Sequence, residues 1–236
     1  MSDYDRWAAD YDLYAAEMSE DVPFYVDLAR EADGPVVELA VGTGRVAISV
    51  AQATGRPVLG IDSSPKMLEV ARERVREAGA DVELREGDMR ELSLDEPAAL
   101  IYCPFRAMLH LPTWADRRRV FEGVSASLRP RGRFAWNVFV FSPFVAARNH
   151  DQRQERAGGR WWEIAHQVPA DNRVDITRGV GEREDGSLSL WWTTRSEWEG
   201  LVDVSGLEVE ALYGWFDWRP YDDSSPEMVW VARKPA

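Results

Sequence analysis

Between about residues 35 and 140, short apolar segments alternate with segments of helical periodicity, and this alternation restricts the fold more than any other feature. Apolar runs typical of buried strands lie at 35–40, 57–62, 81–86, 98–103 and 133–139. Helical patterns follow the first, second and fourth runs, at 44–53, 64–78 and 113–128. Because strands joined through helices pair in parallel, the sequence predicts an α/β fold with a parallel sheet covered on both faces.

The pattern changes after Ser142. Three strand-like segments then follow one another directly, at 160–168, 173–182 and 188–194. Asp185-Gly186 between the last two is typical of a hairpin turn, so an antiparallel β insert is expected over 142–193. The remaining elements are two N-terminal helices, one later helix and two final strands, at 4–17, 21–32, 196–204, 207–213 and 228–232. The final strands are expected to pair antiparallel at the edge of the main sheet, which divides the chain into 1–34, 35–141 with 194–236, and the insert.

The charge balance argues against several classes of partner. The chain has 28 basic and 41 acidic residues, a formal net charge of −13, so nucleic acid and anionic membranes are poor partners. No segment approaches the roughly 20 apolar residues of a membrane-spanning helix, and the N-terminus does not resemble a signal peptide. The single cysteine, Cys103, excludes a disulfide framework and a cysteine-based zinc site. We expect a cytoplasmic protein that acts on a small molecule.

The strongest local signal is the segment Glu38-Leu39-Ala40-Val41-Gly42-Thr43-Gly44, where a buried strand meets a glycine turn that opens a helix. Such a turn lets a ligand lie against backbone amides at the positive end of the helix. Gly42, Gly44 and Ala47 fit the dinucleotide pattern G-x-G-x-x-G/A. Asp62, 20 residues after Gly42, fits a ribose-binding acid. The turn alone therefore leaves a nicotinamide-dependent oxidoreductase open.

Two further features favour a different adenosine cofactor. Glu38 lies inside the first strand, where a pyrophosphate has no use for a carboxylate but the ammonium group of an amino-acid-like cofactor does. Asp88 follows the third strand, at the right place to accept the exocyclic amine of an adenine whose face rests on Met89. The alternatives are that Glu38 is a structural acid capping nearby amides and that Met89 is an ordinary core residue.

With these residues, the chain resembles the class I S-adenosylmethionine-dependent methyltransferases over about 36–140. Residues 38–44 are similar to the first motif, E/D-x-G-x-G-x-G, with Ala40 replacing its first glycine. Ile61-Asp62-Ser63-Ser64 is similar to the second motif, and Gly87-Asp88-Met89 to the adenine motif. The resemblance implies a three-layer Rossmann-like sheet of seven strands, the last one antiparallel. It also implies an S-adenosylmethionine cofactor and in-line methyl transfer to an oxygen or nitrogen atom. The oxidoreductase and a non-catalytic cofactor-binding module remain the alternatives.

The resemblance also implies roles for individual residues. Residues 102–106 stand at the fourth motif, where the backbone lines the methionine part of the cofactor. The residues implied in cofactor binding are Glu38, Ala40, Gly42, Gly44, Asp62, Ser63, Met67, Gly87, Asp88, Met89, Cys103 and Tyr11. In related enzymes the N-terminal helices close over the cofactor, so residues 1–34 are expected to form a lid.

The acceptor is expected to meet the insert and the loop after the fourth strand. His110 is the candidate general base, because it lies at the carboxyl edge of the sheet and histidine suits proton transfer near neutrality. The alternative is a histidine that packs at a helix end. The implied substrate-binding residues are Arg106, Tyr14, Trp162 and Trp191. Arg106 either orients an anionic acceptor or pairs with an acid, and no metal site is expected.

Two tryptophan pairs, Trp161-Trp162 and Trp191-Trp192, lie in the insert. Adjacent residues of a strand point to opposite faces, so each pair is expected to give at most one inward and one outward side chain. The inward side chains would roof an aromatic or cationic acceptor. The outward ones suggest a homodimer contact.

Overall fold

The computed structural model describes Tyr11 and residues 19–236, so the helix expected at 4–17 lies outside the described residues. In this part of the chain, six helices, α1 to α6, lie at Asp21–Glu31, Arg45–Thr54, Pro65–Ala78, Trp114–Ser127, Pro143–Asn149 and Arg195–Val204. None of these described helices has the length and apolar character needed to cross a membrane. Eleven strands, β1 to β11, lie at Val36–Leu39, Val58–Asp62, Val82–Glu86, Ala98–Cys103, Leu128–Phe139, Arg153–Arg156, Trp161–Val168, Arg173–Val180, Arg183–Trp191, Glu208–Tyr213 and Glu227–Arg233.

The larger sheet has seven strands in the order β10-β11-β5-β4-β1-β2-β3. Strands β1 to β5 pair in parallel, whereas β11 runs antiparallel to both β5 and β10. The predicted α/β fold, the seven strands and the antiparallel last strand are therefore confirmed. The strand order reverses between β4 and β1, and the carboxyl ends of strands at such a point border a ligand-binding crevice in open α/β sheets.

An apolar core covers each face of this sheet. On one face, α1 and α2 pack residues such as Tyr25 and Val46 against the strands. On the other face, α4 and α6 bring Phe121 and Trp198 against Trp136, whose ring centroid lies 5.0 Å from that of Phe121. With both faces covered, the free edge formed by the carboxyl ends of the strands is where polar side chains gather.

The helices beside that edge begin where local capping predicts. Ser64 accepts a hydrogen bond from the Met67 amide (3.2 Å), and Pro65 occupies the first position of α3. Thr113 accepts one from the Asp116 amide (3.0 Å) at the start of α4. These caps fix the chain direction directly after β2 and before α4, on either side of the crevice.

The insert forms a separate four-stranded antiparallel sheet in the order β6-β7-β8-β9. The turn predicted at Asp185-Gly186 is wrong. Val180 pairs with Arg183, so the hairpin turns at Gly181, whose φ of 58° suits the first turn position. The register shifts opposite Arg178 and Gly179, where Asp185 is the additional residue. A glycine beside an extra residue is typical of a β-bulge. Bulges and turns share these residue types, so the sequence pattern did not distinguish them.

Two elements of the insert were not predicted from the sequence. Strand β6 reads Arg-Gln-Glu-Arg and has no apolar residue, because it is the edge of its sheet and its side chains meet solvent. Helix α5 begins with the cap residue Ser142 and Pro143, but it buries none of its residues and so shows no apolar periodicity. Both were missed because the apolar pattern is the main sequence signal for an element.

Candidate functional site

The loop after β1 has a backbone conformation that favours glycine. Ala40, Gly42 and Gly44 have φ angles of 55°, 56° and 85°. The Gly44 amide donates to the Val41 carbonyl (2.9 Å), which closes the turn directly before α2. Ala40 pays a conformational cost of about 1 kcal/mol that a glycine would not. The turn brings the chain to the positive end of α2, where backbone N–H groups favour a polar or anionic ligand.

Asp62, the last residue of β2, ties two turns together. Its Oδ2 accepts a hydrogen bond from the Gly42 amide (2.8 Å), and its Oδ1 accepts one from the Ser64 amide (2.8 Å). The Gly87 amide donates to the Asp62 carbonyl (3.0 Å), which brings the loop after β3 alongside. Three sequence motifs therefore meet at one residue.

Glu38 lies in β1, and its side chain is buried. The residue is 1% exposed, and its Oε2 has no hydrogen-bond partner among the described residues. Burial raises the pKa of Glu38 to about 8, and the neighbouring Tyr102 hydroxyl and Arg45 offset only part of this effect. A buried carboxyl with an unsatisfied oxygen is costly unless a further donor or cation reaches it.

Asp88 lies at the same edge but already has a partner. Its carboxylate accepts from the Arg90 amide (2.9 Å) and forms an ion pair with the Arg90 guanidinium at 2.5 Å. This guanidinium holds the pKa of Asp88 below its ordinary value. Gly87, Asp88 and Met89 border a pocket of about 180 Å³, together with Asp62. The structure thus brings the adenine motif next to the ribose-type acid.

A cleft of about 450 Å³ runs from the glycine turn to the second sheet. Its walls include the sequence-predicted residues Tyr11, Ala40, Gly42, Asp62, Ser63, Met67, Met89, His110 and Trp191. His110 ends a 3₁₀ turn, Ala107–His110, between β4 and α4. It therefore lies between the larger sheet and strand β9 of the insert. The cofactor motifs and the insert therefore border the same cleft.

Other predicted residues lie elsewhere. Tyr14 lies outside the described residues. Cys103 ends β4 with its side chain in the core, where burial raises the pKa of the thiol, and the following Pro104 and Phe105 line the cleft instead. Arg106 forms an ion pair with the buried Glu227. Of the two readings of Arg106, the structure favours pairing with an acid.

In the first tryptophan pair neither ring is exposed, so the expected outward ring is covered. Both Trp161 and Trp162 are buried, at 3% and 6% exposure. Trp162 donates to the Gly181 carbonyl (2.9 Å), packs on Gly179 and lies 4.6 Å from the Arg153 guanidinium. Arginine side chains thus cover outward rings that the sequence pattern leaves open. Trp162 is not among the described residues that line the cleft, and the homodimer contact stays a prediction.

Trp191 reaches the cleft from the end of β9, and its backbone is anchored to the larger domain. Arg117 of α4, only 5% exposed, donates from Nη2 to the Trp191 carbonyl (2.8 Å). Trp192 turns away and stacks on Phe141, with ring centroids 3.8 Å apart. The main chain of Trp191 is therefore held against α4.

Sequence reasoning missed Phe105 and Ser189, which also line the cleft. Phe105 lies within the fourth motif, residues 102–106, and its position there is a usable signal. Ser189 precedes Trp191 by two residues and so shares its face of the strand. Ser189 Oγ donates to Asp175 Oδ1 (2.6 Å), and Arg173 also contacts that oxygen at 3.0 Å.

One group of described side chains has the residue types of a metal site: His150, Asp151 and His166. Their ligand atoms lie within 4.8 Å of one another. His150 Nδ1, however, accepts a hydrogen bond from the Gln167 amide (3.0 Å), so the ring proton is on Nε2, facing Asp151 at 3.3 Å. A metal ligand carries the opposite arrangement, with its second nitrogen donating. The group is built as a hydrogen-bonded chain.

Comparison with known proteins finds similar methyltransferases. A family model described as a methyltransferase domain matches residues 36–132. The chain is 25% identical to the cypemycin N-terminal methyltransferase of a Streptomyces species, over 99% of this chain and 100% of that protein. It is 28% identical to a dTDP-3-amino-3,6-dideoxy-alpha-D-glucopyranose N,N-dimethyltransferase of Streptomyces fradiae, over 76% of this chain and 72% of the relative.

Solved structures share the fold. An S-adenosylmethionine-dependent methyltransferase from Clostridium acetobutylicum superposes with a TM-score of 0.82 at 15% identity, over 100% of both chains. CalS10 of Micromonospora echinaspora, an amino pentose methyltransferase with bound S-adenosylmethionine, gives 0.71 at 22% identity, over 96% of both chains. At these identities the likeness concerns the fold.

The residues present also fit the cofactor. S-adenosylmethionine carries an ammonium group, ribose hydroxyls and an adenine. Glu38, whose Oε2 has no hydrogen-bond partner among the described residues, the Asp62 carboxylate and the left-handed turn at Gly42 offer complementary partners for a ligand of this kind. Residues 36–132 match a methyltransferase domain, and fold, motif positions and relatives support a class I S-adenosylmethionine-dependent methyltransferase.

Proposed function

We propose that this chain transfers the methyl group of S-adenosylmethionine to a nitrogen or oxygen atom of a small molecule held between the two sheets. The observation that carries this proposal is the continuity of the cleft, which reaches from Gly42 and Asp62 past His110 to Ser189 and Trp191. A cofactor pocket alone would not need walls from the insert. The proposal gives residues 142–193 the role of shaping the acceptor pocket, and residues 1–34 that of a lid.

In this proposal the acids hold the two ends of the cofactor. Glu38 binds the ammonium group through its unsatisfied oxygen, and Asp62 accepts the ribose hydroxyls while its carboxylate stays fixed by the Gly42 and Ser64 amides. Met89 packs on the adenine, and Asp88 accepts its amine beside Arg90. The remaining residues of this set are Ala40, Gly44, Ser63, Met67, Gly87, Cys103 and Tyr11.

When bound, the cofactor supplies a methyl group already activated by its sulfonium centre. The chain has to hold the acceptor atom about 3 Å from that methyl group, in line with the leaving sulfur, and to exclude water. Acceptors that arrive protonated also need a base. His110 is the histidine that lines the cleft, and we assign it this proton transfer.

The charges of the cleft favour a neutral or cationic acceptor. Among the lining residues that the structure describes, Arg90 is the one cationic side chain, and it pairs with Asp88 and Asp116. The hydroxyl proton of Ser189 is used by Asp175, so Ser189 presents lone pairs to the cleft and suits an N–H or O–H donor. The aromatic ring of Trp191 suits a cation. Amine acceptors, as named for the two Streptomyces relatives, fit these properties.

Ligand binding and turnover test the proposal. S-adenosylhomocysteine should raise the melting temperature, and reduced nicotinamide dinucleotides should leave it unchanged. With S-adenosylmethionine and a panel of small amines and alcohols, S-adenosylhomocysteine should accumulate for some amines. His110→Gln should reduce that turnover by about 100-fold, while His150→Gln, a matched change at a surface histidine, should leave it unchanged.

Each alternative has a distinct outcome. Stabilisation by a nicotinamide dinucleotide alone would restore the oxidoreductase, which none of the reported relatives supports. Tight S-adenosylhomocysteine binding without turnover of any acceptor, and a silent His110→Gln, would indicate a non-catalytic module. A cytoplasmic location and a homodimer remain parts of the proposal, to be tested by cell fractionation and by light scattering.

A further inference from the structure

The loop after β4 holds two consecutive non-glycine residues in the left-handed conformation. Phe105 has a φ of 57° and Arg106 a φ of 63°. A side chain at such a φ crowds its own carbonyl oxygen, so this conformation persists only where neighbouring groups impose it. The loop continues directly into the Ala107–His110 turn. Whatever holds Arg106 therefore also sets the wall of the cleft.

A buried series of hydrogen-bonded polar side chains holds Arg106 in place. The Arg106 Nε donates to Glu227 Oε1 (2.8 Å), and a second guanidinium N–H donates to the same oxygen. Glu227 opens β11 and is completely buried. Its Oε2 accepts from Asn137 Nδ2 (3.2 Å), and Asn137 Oδ1 accepts from the Tyr25 hydroxyl (3.0 Å). Every member of the chain thus has a fixed partner.

This series of hydrogen-bonded side chains extends to both ends of the site. At one end, Phe105 lines the cleft, with its ring 6.2 Å from Tyr11 and the Arg45 guanidinium 5.3 Å away. At the other end, Tyr25 stacks on Tyr102, with centroids 5.1 Å apart, and Tyr102 pairs with Glu38 across strands β4 and β1. A buried ion pair is a weak source of net stability, so stability alone does not account for Glu227.

We infer that Glu227 is a positioning residue for cofactor binding. Through Arg106 it fixes the left-handed loop that places Phe105 and the Ala107–His110 turn against the cleft. It touches neither the cofactor nor the reacting atoms in this role.

The test compares glycine with alanine at position 106. Both substitutions remove the guanidinium, but only glycine adopts a positive φ without a steric cost. To avoid a buried unpaired carboxylate, both are made with Glu227→Gln. The dissociation constant of S-adenosylhomocysteine is measured by titration calorimetry, and the melting temperature by circular dichroism.

We expect Arg106→Ala/Glu227→Gln to bind S-adenosylhomocysteine about tenfold more weakly than Arg106→Gly/Glu227→Gln, because only the alanine variant must strain its backbone in the bound form. Glu227→Gln alone should also weaken binding. Arg133→Ala serves as the control, since it breaks ion pairs to Glu31 and Glu210 away from the cleft and should lower stability without changing affinity.

Two results would overturn the inference. Equal affinities of the glycine and alanine variants would show that the loop conformation does not govern binding. Unchanged affinity in Glu227→Gln would show that the buried carboxylate has no positioning role. The wild-type chain provides the reference affinity, so a failure of the cofactor assignment would be seen separately, as absence of binding before any substitution.

Discussion

Around the larger sheet, many of the groups that face the cleft belong to turns, whereas the second sheet presents Ser189 and Trp191 from one strand, β9. The turns depend on unusual backbone angles at Ala40, Gly42 and Phe105, and on hydrogen bonds that backbone amides donate to carboxylates. In β9 the backbone is extended, and side chains make the local bonds, as between Ser189 and Asp175.

Because of this difference, the two regions should tolerate different substitutions. A turn held by positive φ angles tolerates few substitutions, which suits a cofactor of fixed shape. A strand accepts different side chains on the same backbone, so the acceptor side can vary without disturbing the cofactor side. Substitutions in the two regions should therefore affect different measurements.

The largest expected effect concerns Glu38 and pH. The folded chain raises the pKa of this carboxyl from 4.5 to about 8, so between these values the folded state keeps a proton that the unfolded state has lost. Stability from this group is therefore present at low pH and falls as pH rises through that window, by up to about 5 kcal/mol. Urea unfolding of the wild type and of Glu38→Gln, from pH 5 to pH 9, measures it.

The two stability curves should diverge with rising pH, and a constant difference would contradict the prediction. Binding of S-adenosylhomocysteine should tighten towards pH 8 in the wild type alone, since the ammonium group needs the ionised carboxylate.

The next effect lies within the second sheet and compares two tryptophans. Trp162 is buried, so Trp162→Ala should cost about 3 kcal/mol of stability. Trp191 lines the cleft, so Trp191→Ala should mainly lower turnover of an amine acceptor, by about tenfold. Both variants should bind S-adenosylhomocysteine as the wild type does. A loss of turnover in folded Trp162→Ala that matches the loss in Trp191→Ala would place Trp162 in the acceptor site after all.

A third comparison uses one acid from each region. Asp62→Ala removes a carboxylate that accepts two backbone amides, and it should weaken S-adenosylhomocysteine binding by about 100-fold. Asp175→Ala, the matched change in β8, removes the partners of Ser189 and Arg173 and should change that affinity less than twofold. Calorimetric titration measures the S-adenosylhomocysteine affinity of both variants. Comparable losses of affinity would show that the cofactor and acceptor regions are not independent.

The smallest effect tests the strain in the glycine turn. Ala40→Gly relieves the positive φ of 55° but adds backbone freedom to the unfolded chain, for a net gain of about 0.5 kcal/mol. Ala47→Gly is the same chemical change inside α2, where it should cost about 1 kcal/mol. Thermal unfolding of both variants should give shifts of opposite sign.

Local signals predicted much of the larger sheet and its turns. The cap at Ser64 with Pro65 and the glycine turn around Gly42 depend on residues close in sequence, so their chemistry was readable. The spacing of Asp62 from Gly42 also matched a known motif, although the hydrogen bond from the Gly42 amide to the Asp62 carboxylate was not predicted. By contrast, Arg106 and Glu227 lie 121 residues apart, and no sequence pattern links them.

Other parts of the site depend on choices that a single sequence leaves open. Whether the Asp88 carboxylate faces the cleft or Arg90 is decided by side-chain rotamers. The Asp185-Gly186 pair has the composition of a turn but lies at a bulge, and the hairpin turns at Gly181 instead. Trp162 was assigned to the acceptor site because strand alternation identifies a face but not what covers it.

The hydrogen bond from Arg117 to the Trp191 carbonyl joins the end of β9 to α4. If the second sheet rotates while this bond is kept, displacement grows with distance from Trp191, so the hairpin at Gly181 travels furthest and Ser189 least. Molecules of different length could then be enclosed by the far part of the sheet, while the few ångströms around the reacting atoms keep the same dimensions.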